Sequence, residues 1–330
     1  MIYDCFTFFN ELDLLEIRLE TLDKIVDKFI LVEATKTHSN NEKPLYFNEN
    51  KKRFEKWQDK IIHIVVDRYP EYKTSWTFEN YQRNCIMEGL KECCDDDIII
   101  ISDLDEIPRP ESILEAASTP GIKSLEMVYY CYYFNYQNYL SPKWSAAKVL
   151  RYGDFFNQFD VDYNTYLIKE LNEDTTPTKI RHVRSKHIKN AGWHFTYFGG
   201  ANKIKYKLLS FSHQEWHDKK DPNRVIDDKV IEDRIRQGKS AIGSSISGLT
   251  TVPLDSTFPE CIYNNQKKYL MYICDFPPKN QFVQTYNKIA WFLLHGCRQK
   301  IGEVYFTSCP DKIQKYMQNI KRVTHHAKYE

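Results

Sequence analysis

Glycine is scarce in this chain. There are 11 in 330 residues, and the first is Gly89. A glycine-rich phosphate loop near the N-terminus is therefore absent, which counts against a metal-dependent nucleotidyltransferase, a class that usually wants one. The nine cysteines (Cys5, Cys85, Cys93, Cys94, Cys131, Cys261, Cys274, Cys297 and Cys309) form no C-x-x-C pair, and their number is odd. Neither a zinc ribbon nor a disulfide framework fits, and buried free thiols in a reducing compartment are expected. Neither sign of charge dominates: 46 basic residues face 45 acidic ones, for a net charge of +1. That balance gives no electrostatic case for nucleic acid or an anionic membrane surface. No apolar run is long enough for a transmembrane segment. The opening residues, MIYDCFTFFNELD, lack a basic leader region and a small-residue cleavage site. A cytoplasmic location is expected, in the host cytoplasm if the source is viral. There is no internal repeat and no low-complexity stretch.

What the chain does have is aromatic bulk, with 23 Tyr and 19 Phe, enough for a sizeable core. Its first hundred residues alternate strand and helix signals. Apolar runs at 2–9, 29–34, 61–66 and 97–102 read as strands. Leu12, Leu15, Leu19, Leu22 and Val26 share one helix face, and residues 78–94 read as a second helix. Strands separated by helices imply βαβ units, hence an α/β fold with helices flanking the sheet. Residues 122–200 read as further strands, IRHVRS among them, and 222–239 as an exposed helix. The tail, about 276–330, opens with Pro277 and Pro278 and reads as a helical C-terminal extension, packed on one domain expected over 1–275.

In such sheets ligands sit beyond the carboxyl ends of the strands. There the run IIIISDLDEIPRP places Asp103, Asp105 and Glu106. Strand alternation would turn Asp103 and Asp105 to one side, and two carboxylates aimed at one point call for a cation. Oxygen ligands favour Mn²⁺ or Mg²⁺, ions that keep open positions for phosphate oxygens. The plainer alternative is that Asp103 caps a turn and the other two acids are solvated.

Taken together, LEIRLETLDKIVDKFILVEATKTHS, QRN, IIIISDLDEIPRP, GWHFTYFGG and KLLSFSHQE resemble glycosyltransferase family 17, in order, over residues 1 to about 275. The resemblance implies a GT-A type, Rossmann-like mixed sheet and an inverting transfer. It also implies a UDP-sugar donor, with UDP-GlcNAc first, a Mn²⁺-type ion at the acidic motif and a glycan acceptor. The tail beyond about 276 lies outside it.

Residues at strand ends are then candidates for donor contacts: Asn10 and Glu11, then Glu33, Thr37 and His38, and Gln82 and Arg83 on the helix before the acidic strand. Arg83 suits a phosphate, and Arg109 is a weaker choice. Asp103 is expected at both donor and metal. In GWHFTYFGG, Trp193, His194, Tyr197 and Phe198 are candidates for the acceptor sugar or else for plain core packing. His213 is expected as a further metal ligand, by analogy with GT-A enzymes. Glu215 is expected as the base that takes the acceptor proton, with Glu126 and Asp160 as rivals. The basic stretch with Lys179, Arg181, Arg184, Lys186 and Lys189 reads as a solvated strand face, or more sharply as a contact for an anion. An inactive carbohydrate-binding protein is the remaining alternative.

Overall fold

The isoleucine run forms a central strand, β4 (Ile98–Asp103), as an unbroken β-branched segment predicts. In the computed structural model, which describes residues 1–155, 176–214, 226–243 and 246–291, it lies fourth in a seven-stranded sheet. The order is β11 (Lys186–Ile188), β6 (Lys123–Leu125), β10 (Lys148–Arg151), β4, β1 (Ile2–Phe8), β2 (Lys28–Ala34) and β3 (Ile61–Val66). β4, β1, β2 and β3 run parallel, whereas β10 is antiparallel to β4. Side-chain alternation sorts the residues between the two faces. Ile100 joins Phe6, Phe8, Phe29 and Leu31 in one apolar cluster, and Ile99 and Ile101 join Cys5, Ile30 and Val32 in the other.

Helix α1 (Leu12–Leu22) buries Leu14, Leu15, Leu19 and Leu22 against the phenylalanine face. A short helix, α2 (Tyr46–Glu49), follows β2. The helix expected over 78–94 starts earlier, where Thr74 and Thr77 form a capping box, and breaks at Cys85 into α3 (Ser75–Asn84) and α4 (Ile86–Gly89). After β5 (Glu106–Pro108) comes α5 (Pro110–Ala117).

One segment departs from the sequence reading. IRHVRS is no strand: Pro177–His182 form a helix, α6, because Thr176 caps it by accepting from the Lys179 N–H and Pro177 occupies its first turn. A further helix, α7 (Gly200–Ser210), precedes His213.

A second, mixed sheet runs in the order β13 (Leu249–Thr251), β8 (Tyr136–Asn138), β7 (Met127–Cys131), β12 (Gly192–Thr196) and β5, with β9 (Lys143–Trp144) beside β7. Helices α7 and α8 (Asp228–Arg236) supply Ile204, Leu208, Ile231 and Ile235 to a third apolar cluster that includes Tyr132 and Tyr136. The mixed α/β architecture with flanking helices is the expected one. The chain divides into two compact units, Met1–Lys279 and Asn280–Glu330, and the second contains the helix Gln281–Trp291. Among the described residues no helix is long and apolar enough to cross a membrane. The seven described cysteines are all free. Cys5, Cys85, Cys131 and Cys274 are buried, and Cys94 is exposed.

Strand order turns at β1: β2 and β3 lie on one side of it and β4 on the other. Such a switch point opens a crevice beyond the carboxyl ends of the two strands.

Candidate functional site

A cavity of about 700 Å³ occupies that crevice. Its wall takes Thr7, Phe8 and Phe9 from the end of β1, Lys36, Thr37 and His38 from beyond β2, and Asp103, Leu104 and Asp105 from the end of β4. Gln82 and Arg83 come from α3, His194 and Thr196 from β12, and Lys207 from α7.

The acidic turn carries the chain from one sheet to the other, and Arg18 of α1 holds it. That guanidinium is fully buried. Its Nη1 donates to the carbonyls of Asp103, Leu104 and Glu106 at 2.9, 3.2 and 2.8 Å. Its Nε and Nη2 grip the Asp4 carboxylate at 2.7 and 2.6 Å. The Asp105 carbonyl is fixed as well, by the Phe195 N–H at 2.8 Å.

Each carboxylate of the turn then meets a cation. Asp103 accepts from Arg83 at 3.1 Å and Arg181 at 2.8 Å. Glu106, fully buried, takes Arg181 at 2.7 and 2.9 Å and the Trp144 Nε1–H at 2.5 Å. Asp105 accepts from Lys207 at 2.9 Å and lies 3.5 Å from His194 Nε2. Burial alone would raise both aspartates, but the cations outweigh it. Arg181 and Arg83 hold Asp103 down at about 2, and Lys207 and His194 hold Asp105 well below the carboxylate range. Burial pushes the His38 imidazole below its ordinary value, and His182 likewise.

The two aspartates thus share a cavity but turn to different partners, because β4 ends at Asp103 and its alternation stops there. Two buried wall atoms are left without a hydrogen-bond partner among the described residues, Arg83 Nε and His194 Nδ1. Buried polar atoms unpaired at a cavity wall are groups a ligand can satisfy.

Of the sequence candidates, Glu11, Thr37, His38, Gln82, Arg83, Asp103, Asp105, His194, Tyr197 and His213 line this cavity. Gln82 also braces it, donating to the Val32 carbonyl at 2.9 Å and pairing with His38 at 3.1 Å. Other candidates need correction. Glu33 is fully buried off the cavity, where it accepts from the Phe47 N–H and lies 3.0 Å from His63 Nε2. Asn10 borders a separate small pocket beside Phe134 and Tyr272. Trp193 faces away, donating to the Thr257 carbonyl under the Arg109 guanidinium, which lies 4.0 Å from its ring. Phe198 packs into the core on Phe134 and Phe195. Glu126 pairs with Lys143 at 2.8 Å, off the cavity wall.

His213 packs edge-on against Trp76, with centroids 4.6 Å apart. Among the described residues no three His, Cys, Asp or Glu side chains form a metal-binding group. The expected trio of Asp103, Asp105 and His213 therefore does not converge. Glu215 and Asp160 lie outside the described residues.

Sequence reasoning missed several wall residues. Tyr129 stacks on the His194 ring and Trp144 packs against both, at centroid distances from His194 of 4.8 and 4.6 Å. Arg181, which the sequence offered as a solvated residue or an anion contact, lines the cavity as the shared partner of Asp103 and Glu106. Lys207 is placed by the turn before it, where Tyr197, Gly199 and Gly200 adopt φ of +60°, +100° and +82°. The paired glycines were the only local signal for that turn.

The sequence profile of glycosyltransferase family 17 matches residues 1–165, a stretch that contains the acidic turn, β1, β2 and α3. Human and rat β-1,4-mannosyl-glycoprotein 4-β-N-acetylglucosaminyltransferase are each 30% identical to the chain over 113 residues, and the mouse protein 29%. Each alignment takes in 32% of this chain and 21% of the relative, so the chain spans about a fifth of the curated proteins it matches. A mannosyltransferase from Pyrobaculum calidifontis, solved in complex with GDP-Man and Mn²⁺, aligns over 96% of this chain and 84% of its own, at 11% identity and a TM-score of 0.35. With the profile matching half of its length, the chain belongs to glycosyltransferase family 17.

Proposed function

We propose that the protein is a metal-dependent, inverting glycosyltransferase of GT-A type that moves a sugar from a UDP-sugar, UDP-GlcNAc first, to a hydroxyl of a glycan acceptor. The observation that carries this reading is the charge of the carboxylate network. Within 4 Å, Glu11, Glu79, Asp103, Asp105 and Glu106 meet three lysine or arginine cations among the described residues, Arg83, Arg181 and Lys207. Counting imidazoles as uncharged, five carboxylates against three paired cations leave a local excess of two at the acidic turn, with Lys36, Lys43 and Lys148 further off. A diphosphate entering beside the turn would meet that local excess. A divalent cation held by Asp105, with Asp103 beside it, would supply the missing charge next to a diphosphate.

The donor set fits an ion that arrives with its nucleotide. Magnesium-like ions are bound by one or two carboxylates plus substrate phosphates rather than by a full protein cage. Asp105, with Asp103 beside it, offers that many. When bound, the ion would offset charge growing on the departing diphosphate.

The chain's own residues do the rest. Arg18 holds the turn's backbone, so the aspartates need no reorganisation as charge develops. Thr7, Phe9, Thr37 and His38 lie where the nucleoside end of the donor would sit, beyond β1 and β2. Tyr129, Trp144 and Tyr197 form an aromatic flank on the β12 side, suited to the apolar faces of sugars. Glu215, two residues beyond the wall residue His213, is the proposed base. A cytoplasmic placement accords with the seven free thiols.

The test is donor hydrolysis by purified protein. Slow UDP release from UDP-GlcNAc should require Mn²⁺ and fall at least about 100-fold in Asp105→Asn. Undiminished release by that variant, or pyrophosphate as the product, refutes the proposal.

A further inference from the structure

The acidic turn already contains a cation of its own. Lys207 Nζ lies 2.9 Å from Asp105 Oδ2 and 3.1 Å from Glu11 Oε1. Both carboxylates are well shielded, with side chains 10% and 14% exposed. An ammonium bridging two shielded carboxylates already holds Asp105 Oδ2 and Glu11 Oε1. A divalent ion using Asp105 would lie beside that ammonium, so the two like charges compete for the carboxylate.

Lys207 can also leave. Its backbone is held by α7, but the ammonium ends a flexible four-carbon stem that is 24% exposed. The face of Tyr197, 6.0 Å away, is on the same cavity wall. A free dication arriving alone must displace the ammonium from Asp105 and leave it Glu11 as its sole carboxylate. A dication arriving with a diphosphate brings phosphate oxygens that accept the ammonium as Asp105 is freed.

We propose that Lys207 holds the metal position in the donor-free protein and passes to the diphosphate when metal and nucleotide enter together, so that metal binding is conditional on the nucleotide. This rests on the metal-dependent reading above. Lys207 is on this account a positioning residue that makes the two ligands cooperative, and such coupling is reciprocal.

The experiment counts bound Mn²⁺ on the full chain by the electron paramagnetic resonance signal of the free ion, with and without UDP. The Mn–UDP complex formed in protein-free buffer is subtracted. Wild type should bind Mn²⁺ alone weakly, with UDP tightening it about tenfold or more. Lys207→Met and Lys207→Gln should bind Mn²⁺ alone about tenfold tighter than wild type, the size of one charge-assisted contact removed. In both, the tightening by UDP should shrink by the same factor. Lys207→Arg, which keeps the charge, should still exclude free Mn²⁺. The inference is overturned if wild type binds Mn²⁺ equally with and without UDP. It is equally overturned if the neutral variants, folded by their melting transition, bind Mn²⁺ alone no tighter than wild type. If wild type binds no Mn²⁺ even with UDP, the metal-dependent reading itself fails, and this inference with it.

Discussion

Arg18 offers the sharpest test of how the fold positions the acidic turn. It is fully buried, as is its partner Asp4, and its guanidinium binds the Asp4 carboxylate, the Ser102 hydroxyl and three carbonyls of the turn. Arg18→Met keeps most of the apolar stem and removes every one of these bonds. Asp4 is then an unpaired buried charge on the face of β1 that it shares with Phe6 and Phe8, and breaking a buried pair in this way costs about 3–5 kcal/mol. Carbonyls left unpaired push the loss toward the upper end of that range. A fall in melting temperature on the order of 10 °C is expected by calorimetry or circular dichroism. The double variant Asp4→Leu with Arg18→Met replaces the pair by apolar side chains of similar total volume and should recover most of that loss. It should not recover nucleotide binding, because nothing then holds the turn's carbonyls. Should Arg18→Met melt within about 1 kcal/mol of wild type, or the double variant be no more stable than the single, the reasoning is wrong.

Two further outcomes are expected. A methyl group at position 192 would lie 2.3 Å from the Ile107 carbonyl oxygen and 2.9 Å from Pro108 Cα, both backbone atoms of β5. Gly192→Ala should therefore destabilise by about 2–3 kcal/mol, read as a melting shift, and equal stability would refute the β12–β5 register. For pH, the Asp103 carboxyl lies below its ordinary 3.8, at about 2 in the folded protein. A depressed acid stabilises fully above its unfolded value, so this contribution is intact above pH 4 and is lost as pH falls from there to about 2. Melting temperature against pH should show that limb in wild type and a shallower one in Asp103→Asn.

Much of the fold was legible in the sequence for one reason: burial has a period. The isoleucines of β4, the phenylalanines of β1 and the leucines of α1 repeat at the spacing their element demands, so strand, helix and buried face could be read locally. The same local reading put Asp103 and Asp105 beyond a buried strand, and they do line the cavity. It failed where the same local signal serves two purposes. Glu33 ends a strand as a donor contact might, yet its carboxylate is spent on the Phe47 N–H and His63. Trp193 and His194 are neighbours, and alternation sends only the second to the cavity.

The sequence by itself determined the α/β layering, the place of the acidic turn and the family. Only the tertiary structure decided which cation meets which carboxylate: Arg18 with Asp4, Arg181 with Asp103 and Glu106, Lys207 with Asp105 and Glu11. Periodicity is a property of neighbours along the chain, whereas an ion pair joins residues that folding brings together from distant positions. The field at the site, and with it the ammonium held between Asp105 and Glu11, therefore belongs to the assembled fold.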